Sequence, residues 1–293
     1  MVFRTLIDTE TLSRSLGDWS VAIVDCRSKL DDLTWAPQQY EAAHIPGAVL
    51  AHLDHDMAGP KTGGNGRHPL PDPSAFADTL SRLGIDGSVQ VVAYDQDSGM
   101  YASRFWWMVR WLGHERVAVL DGGFSKWIAE GRPTAPGREQ RTGRSFVASP
   151  NLRAVASVDE VGVLASSPSA RLLDARASER FSGASEPIDR AGGHIPGATN
   201  YFFKNNVDEH GVFRAPDVLR RQLEAALGGA PPDQVVCYCG SGVAACQNLL
   251  ALEHAGLPGG RLYPGSWSEW SSNPARPIAA GPDGGPEKAK NPS

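Results

Sequence analysis

The stretch DQVVCYCGSGVAACQNLLALEHAG (233–256) contains an apolar run, a glycine-bearing loop and a helix-prone segment in succession. Val235–Tyr238 has the length and composition of a buried strand, and the residues after Ala244 favour a helix. Strands that alternate with helices in this way predict an α/β fold with a mostly parallel sheet. Gly240 and Gly242 allow the connecting loop to turn tightly, because glycine has no Cβ to clash.

The same pattern occurs twice along the chain. Four segments of the N-terminal half have counterparts in the C-terminal half, at offsets of 149, 150, 144 and 143 residues. The paired segments are VAIVDCR and ARLLDAR (21–27 and 170–176), HIPGA twice (44–48 and 194–198), VQVVAYD and DQVVCYC (89–95 and 233–239), and DGGFSKW and PGSWSEW (121–127 and 264–270). A repeat that keeps both order and spacing predicts two copies of one domain.

The 293 residues suit two domains of about 140–150 residues each. We predict an N-terminal domain over 1–138, a linker over 139–153, a C-terminal domain over 154–280 and a disordered tail over 281–293. The linker is expected because this region is polar and rich in Gly, Pro and Arg. The tail has no large apolar residue with which to pack, so we expect it to fray.

Composition excludes several classes of protein. Hydrophobic residues make up 41% and charged residues 21%, as in ordinary globular proteins. The net charge of −5 gives no general attraction for nucleic acid or anionic membranes, and no apolar run approaches the roughly 20 residues that span a bilayer. The N-terminus lacks the features of a secretory signal, and four cysteines are too few for a disulfide scaffold. We therefore expect a cytoplasmic protein.

Cys239 is the candidate nucleophile. It stands where a strand ends in a glycine-bearing loop, so the loop N–H groups and the positive end of the following helix stabilise its thiolate. The alternative is a buried structural cysteine at a strand end. Asp95 occupies the equivalent position of the N-terminal half, and an aspartate cannot carry sulfur. Cys237 and Cys246 are expected to pack as small hydrophobic residues, Cys237 on the strand face opposite to Cys239. Histidine and cysteine residues at metal-ligand spacing are not found, so no metal is predicted.

The double HIPGA, the Asp-x-Arg before each copy and CGSGVAAC resemble the tandem-domain rhodanese sulfurtransferases, and most closely their 3-mercaptopyruvate branch. This resemblance covers roughly residues 5 to 280. It implies two rhodanese-like α/β domains, of which the C-terminal one is catalytic. It also implies that Gly240, Gly242, Val243 and Ala244 form the active-site loop. Family members carry a threonine where this chain has Ala244, so one loop hydroxyl is absent.

The 3-mercaptopyruvate branch pairs the loop serine with a histidine and an aspartate of the N-terminal half. The matching residues are Ser241, His68 and Asp54, with Asp56 as a competing choice for Asp54. The alternative for His68 and Asp54 is that they are loop residues that bond only to backbone. His44 and His194, within the two HIPGA segments, are expected to pack in turns rather than to take part in catalysis.

For the carboxylate of the donor, the resemblance implies two arginines ahead of the second HIPGA, matched by Arg180 and Arg190. Guanidinium groups suit a carboxylate because they bind both of its oxygens. The alternative is that both arginines form surface salt bridges. Arg176 has an equivalent, Arg27, in the N-terminal half, so a structural role is expected for it.

The resemblance implies a sulfurtransferase that moves sulfur from 3-mercaptopyruvate, through a persulfide on Cys239, to a thiol or cyanide. The acceptor can be a small molecule or a thioredoxin-like protein, and no cofactor is needed. Thiosulfate-preferring relatives carry Arg and Lys where this chain has Gly240 and Ser241. One alternative is nevertheless a thiosulfate:cyanide sulfurtransferase. A second is a persulfide carrier or redox-sensing module without turnover.

Overall fold

Two parallel β-sheets, one in each half of the chain, form the framework of the protein. The structure is a computed structural model that describes residues 2–167 and 169–282. The first sheet has the order β1-β5-β4-β2-β3, with β1 (Leu6–Ile7), β2 (Val21–Asp25), β3 (Val49–Leu50), β4 (Gln90–Tyr94) and β5 (Val117–Leu120). The second has the order β7-β6-β8-β9, with β6 (Arg171–Asp174), β7 (Thr199–Asn200), β8 (Val235–Tyr238) and β9 (Arg261–Leu262). All of these neighbouring strands are parallel.

Helices connect the strands, as the alternating pattern predicts. They are α1 (Thr9–Arg14), α2 (Trp35–Ala42), α3 (Leu53–Asp56), α4 (Pro73–Arg82), α5 (Met100–Trp111), α6 (Gly123–Ala129), α7 (Val158–Leu164), α8 (Ser178–Ser182), α9 (Pro216–Leu227), α10 (Ala245–His254) and α11 (Ser266–Trp270). Three short 3-10 helices span Leu152–Ala154, Phe203–Asn206 and Pro232–Gln234. The predicted α/β fold with two mostly parallel sheets is confirmed. No helix within 2–167 or 169–282 is both long enough and apolar enough to cross a membrane.

The two halves repeat each other in detail. Strand β8 and helix α10 of the second half correspond to β4 and α5 of the first. The parallel bridge between Val155 and Leu262 corresponds to the pairing of Leu6 with Val119 in β1 and β5. The repeat deduced from the sequence is therefore a repeat of structure.

A buried ion pair ties the central strand of each half to the turn at HIPGA. The Arg27 Nη2 atom donates to the Asp25 carboxylate at 2.6 Å and to the Ala43 carbonyl at 2.7 Å. Arg176 Nη2 makes the equivalent bonds to Asp174, at 2.6 Å, and to the Gly193 carbonyl, at 2.7 Å. The structural role expected for Arg176 agrees with these contacts.

Helices α5 and α10 join the halves. They pack against each other, and ten of the twelve residues of α5 are buried. A helix that is apolar on nearly all sides belongs inside a protein, and α5 lies between its own sheet and the second half. One hydrophobic core therefore includes Phe105 and Val109 of α5 together with Leu249 and Leu252 of α10.

The predicted domain limits, 1–138 and 154–280, stay predictions. Residues 139–151 contain neither helix nor strand. Of the tail predicted over 281–293, only Gly281 and Pro282 lie within the described residues.

Candidate active site

Cys239 lies at the carboxyl end of β8 and is only 3% exposed. Its backbone N–H donates to Ser266 Oγ at 3.1 Å, and its carbonyl accepts the Trp267 N–H at 2.9 Å. Ser266 has a φ of 55°, the only left-handed conformation of a non-glycine residue in the described chain. Such strain persists only where the surrounding structure enforces it, and it is common at functional sites. The start of α11 thus holds Cys239 in place.

The loop after Cys239 presents a set of uncommitted backbone donors. Within the described part of the chain, the N–H groups of residues 240–244 have no hydrogen-bond acceptor. Gly242 has a φ of 76°, and a Cβ there would lie 2.5 Å from the Pro264 carbonyl oxygen, so only glycine fits. Free N–H groups at the beginning of helix α10 form a site for an anion, such as a thiolate or persulfide on Cys239.

In the N-terminal half the equivalent donors are already occupied. Asp95 Oδ1 accepts the N–H groups of Asp97 (3.2 Å) and Gly99 (2.9 Å), and Oδ2 accepts those of Tyr101 (2.7 Å) and Ala102 (3.2 Å). Burial raises the pKa of Asp95 to about 6, against the opposing effect of these bonds. At neutral pH the Asp95 carboxylate is therefore ionised and accepts the N–H groups of its own loop.

Ser241, His68 and Asp54 come together across the two halves. Ser241 Oγ lies 2.8 Å from His68 Nδ1, and His68 Nε2 lies 3.8 Å from Asp54 Oδ1. Ser241 and His68 are both buried. Burial lowers the pKa of His68 to about 4, although Asp54 acts in the opposite direction. His68 is therefore neutral at pH 7, and its Nδ1 can accept the proton of the Ser241 hydroxyl.

The short helix α3 positions Asp54. His52 precedes this helix, and its Nδ1 accepts the Asp54 N–H at 3.1 Å. Lys61 Nζ donates to Asp54 Oδ1 at 2.9 Å. Burial raises the pKa of Asp54, but the bond from Lys61 and the charges of His68 and Lys61 outweigh it and lower the pKa. Asp56, the competing choice, instead accepts the backbone N–H of His52 and pairs with Arg82.

Arg104 of helix α5 connects the triad to the loop, a role that the sequence did not suggest to us. It is fully buried. Its guanidinium donates to the carbonyls of Gly242 (3.1 Å), His68 (3.1 Å) and Met57 (3.3 Å). A buried cation is costly unless it is hydrogen-bonded, and these three carbonyls provide that compensation. The only available signal is a charged residue within the apolar segment SRFWWM (103–108).

The predicted donor-binding arginines lie in different surroundings. Arg180 approaches Gly240 and pairs with Glu186 and Asp189. Arg190 is exposed, and its Nη1 donates to the Ser272 carbonyl at 3.4 Å. The assignment of both arginines to donor binding stays a prediction. The guanidinium of Arg67, which was not among the predicted site residues, also approaches Gly240. Its position next to His68 was the available signal.

The remaining cysteines are buried free thiols. The expectation that Cys237 lies on the strand face opposite to Cys239 is wrong. Residues two apart on a strand share a face, and Cys237 packs in the same core cluster as Cys239, whereas Tyr238 packs in another. The Cys246 thiol donates to the Gly242 carbonyl at 3.3 Å. No group of three or more potential metal ligands occurs within 2–167 and 169–282.

His44 and His194 take part in turn packing. Each Nδ1 lies 2.8 Å from a backbone carbonyl oxygen, that of Tyr40 for His44 and that of Phe181 for His194. Both rings also stack on a neighbouring aromatic ring. They therefore buttress the HIPGA turns and lie outside the triad.

A cysteine at the end of a parallel strand, whose counterpart in the other half is Asp95, agrees with what the comparisons find. The family model for the rhodanese-like domain matches residues 8–130 and 157–273. The chain belongs to the rhodanese family and contains two such domains in tandem. A Pseudomonas aeruginosa protein named "Probable 3-mercaptopyruvate sulfurtransferase" is 41% identical over 94% of this chain and 98% of its own length.

Two further proteins bear on the choice of sulfur donor. The thiosulfate sulfurtransferase of Bos taurus is 32% identical over 92% of this chain and 93% of its own length. The crystal structure of a 3-mercaptopyruvate sulfotransferase of Escherichia coli has a TM-score of 0.78 and 30% identity, covering 91% of this chain and all of that one. Relatives named for either donor therefore match across both domains.

Proposed function

We propose that this protein is a 3-mercaptopyruvate sulfurtransferase that carries sulfur as a persulfide on Cys239. The observation that supports this most directly is the 2.8 Å contact between His68 and Ser241, adjacent to the nucleophile. Release of pyruvate from 3-mercaptopyruvate moves a proton from sulfur to carbon, and a serine–histidine pair can carry that proton. Thiosulfate needs no such transfer, because it leaves sulfite behind.

The first half-reaction forms the persulfide. The Cys239 thiolate attacks the sulfur of 3-mercaptopyruvate, an S–S bond forms, and the C–S bond breaks with its electron pair passing to the carbon as the enolate of pyruvate. The thiol proton passes through the Ser241 hydroxyl to His68 Nδ1 and returns the same way to the enolate carbon. Asp54 stabilises the imidazolium that exists between these transfers. The products are pyruvate and a Cys239 persulfide anion near the free N–H groups of the loop.

The second half-reaction returns the enzyme to its starting state. A thiolate or cyanide attacks the outer sulfur, the S–S bond breaks, and the Cys239 thiolate leaves. No cofactor takes part, because the sulfur remains covalently bound between the two steps. A thioredoxin-like protein suits the acceptor role, and the cytoplasm, where such reduced thiols occur, suits the four free cysteines.

A second candidate function is thiosulfate sulfurtransferase, favoured by the similarity to the bovine protein of that name. The two functions predict different donor preferences. Initial rates with each donor, cyanide as the acceptor and equal enzyme concentrations should give a higher kcat/KM for 3-mercaptopyruvate. A clear preference for thiosulfate would reverse the assignment. Persulfide formation without repeated pyruvate release would instead indicate a carrier.

Mass spectrometry tests the intermediate. After treatment with the donor, the Cys239 peptide should gain about 32 Da, and the peptides with Cys26, Cys237 and Cys246 should not. Cys239→Ser should lose both the added mass and the turnover, while Cys246→Ser serves as a matched control that keeps the nucleophile. Full turnover in Cys239→Ser would contradict the mechanism.

A further inference from the structure

Guanidinium groups from both halves converge above Gly240. A Cβ placed on Gly240 would lie 2.8 Å from Arg67 Nη2 and 3.5 Å from Arg180 Nη1 and Nη2. Arg67 belongs to the N-terminal half, whereas Arg180 lies on α8 of the C-terminal half. The space that a side chain at position 240 would fill is thus bordered by two guanidinium groups next to Cys239.

Two carboxylates hold these arginines in place. Asp189 pairs with both guanidinium groups, with Arg67 Nη1 and with Arg180 Nη2, the latter at 2.9 Å. Glu186 binds Arg180 Nε at 3.0 Å and Nη2 at 2.8 Å. Both carboxylates are only 4% exposed, so the pairs are shielded from water and well oriented.

The nitrogen atoms nearest to Gly240 remain available to a ligand. Within the described residues, Arg67 Nη2 and Arg180 Nη1 have no hydrogen-bond acceptor. The Arg67 side chain is 30% exposed and that of Arg180 is 19% exposed, so both are within reach of a small molecule. Residues 240–244 carry no charge of their own.

The backbone of Arg67 is fixed by the catalytic half. Its N–H donates to Ser268 Oγ at 3.1 Å. A Cβ on the preceding Gly66 would lie 2.6 Å from the Gly265 carbonyl oxygen, so the two backbone segments are in close contact. Burial lowers the pKa of Arg67, and the nearby Cys239 opposes that effect. The Arg67 charge is therefore held near the reacting sulfur.

We propose that Arg67 is a donor-binding residue, which together with Arg180 binds the anionic group of the sulfur donor above Gly240. The N-terminal half then supplies the cation that the uncharged loop lacks. This inference rests on the proposed function, since it assumes that the ligand is the donor of sulfur for Cys239. It assigns to Arg67 a role that would otherwise be expected of a side chain in the loop.

The test compares Arg67→Met with Arg221→Met, which removes an exposed arginine paired with Asp217 on α9. We expect Arg67→Met to raise KM at least tenfold for 3-mercaptopyruvate and thiosulfate, with kcat reduced less than threefold. Arg221→Met should change both constants less than twofold. The uncharged amide of 3-mercaptopyruvate distinguishes the loss of an anion contact from misfolding of the variant. Its KM should be the same in Arg67→Met and the unmodified protein.

Calorimetric titration of the sulfur-free protein with sulfite gives a readout that needs no turnover. The dissociation constant for sulfite should rise at least tenfold in Arg67→Met and stay unchanged in Arg221→Met. Unaltered sulfite binding, or an equal rise in KM for the acid and its amide, would overturn the role of Arg67. Lack of a Cys239 persulfide would refute the proposed function alone, because the sulfite titration still decides whether Arg67 binds an anion.

Discussion

Asp95 and Cys239 occupy equivalent positions in the two halves. The Asp95 carbonyl accepts the Phe124 N–H at 2.8 Å, as the Cys239 carbonyl accepts the Trp267 N–H at 2.9 Å. The side chains differ in what they do with the loop that follows. Asp95 binds the loop N–H groups itself, whereas the loop after Cys239 leaves them free. The loop N–H groups therefore have a carboxylate acceptor in the N-terminal half, whereas in the C-terminal half they remain available to an anion.

Asp95→Ala should destabilise the N-terminal half without changing any residue of the active site. The substitution leaves four N–H groups, three of them buried, without their charged acceptor, so we expect a loss of about 2–4 kcal/mol in the free energy of unfolding. Urea denaturation at pH 7.5, where Asp95 is ionised, measures this. Asp31→Ala, at an exposed aspartate, is the control and should change the free energy by less than about 0.5 kcal/mol. Equal stability of the two variants would show that the carboxylate contributes little.

Ser241→Ala should affect the two donors differently. Since only 3-mercaptopyruvate requires the proton transfer, its kcat/KM should fall about 100-fold, and that for thiosulfate only a few-fold. His68→Gln should show the same selectivity. The double variant should be little worse than either single one, because the two side chains act as a unit. Equal losses for both donors would argue against a role in proton transfer.

His68 should make stability depend on pH. Its pKa is about 4 in the folded protein and about 6.5 when unfolded, so between these values the unfolded chain binds more protons. The free energy of unfolding should therefore rise as the pH increases from 4 to 6.5, with His68 contributing at most about 3 kcal/mol. This contribution is present above pH 6.5 and is lost as the pH falls through 4.

Urea unfolding from pH 4.5 to 7.5 tests this prediction by comparing variants with the unmodified protein. His68→Gln should show a flatter dependence than the unmodified protein. His210→Gln, which removes an exposed histidine, should keep the full dependence. Identical pH profiles for His68→Gln and the unmodified protein would contradict the low pKa of His68.

The Ser266 hydroxyl should stabilise the folded protein, although the backbone of Ser266 is strained. Ser266→Ala keeps the left-handed φ but loses the bond to the Cys239 N–H and the 2.9 Å bond to the Tyr263 carbonyl. We expect Ser266→Ala to lower the free energy of unfolding by about 1–3 kcal/mol. Ser266→Gly loses the same bonds but relieves the strain, so its cost should be smaller. Thermal unfolding of the two variants makes the comparison, and a more stable Ala variant would oppose this account.

Much of the fold could be predicted from local patterns in the sequence. The apolar runs that became β4 and β8 are followed by helices α5 and α10, and the double HIPGA revealed the duplication. Cys239 was recognisable because its strand, its glycines and its helix are contiguous in the chain. The difference from Asp95 was visible for the same reason.

Residues that act across the two halves were harder to find. Ser241 and His68 are 173 positions apart, and only the resemblance to a family related them before the structure brought them to 2.8 Å. Arg67 and Arg104 were not predicted as site residues because neither lies in a repeated motif. Their significance depends on which carbonyls and carboxylates surround the guanidinium group.

The sequence by itself determined the α/β class, the duplication and the presence of a cysteine in only one of the two equivalent loops, because each of these follows from residues that are close together in the chain. Only the tertiary structure decided which charges face Cys239. The packing of α5 against α10 brings Arg104 to the Gly242 carbonyl, and the contact of Gly66 with Gly265 brings Arg67 to Gly240. Electrostatic interactions depend on distance in space, which local sequence patterns do not encode.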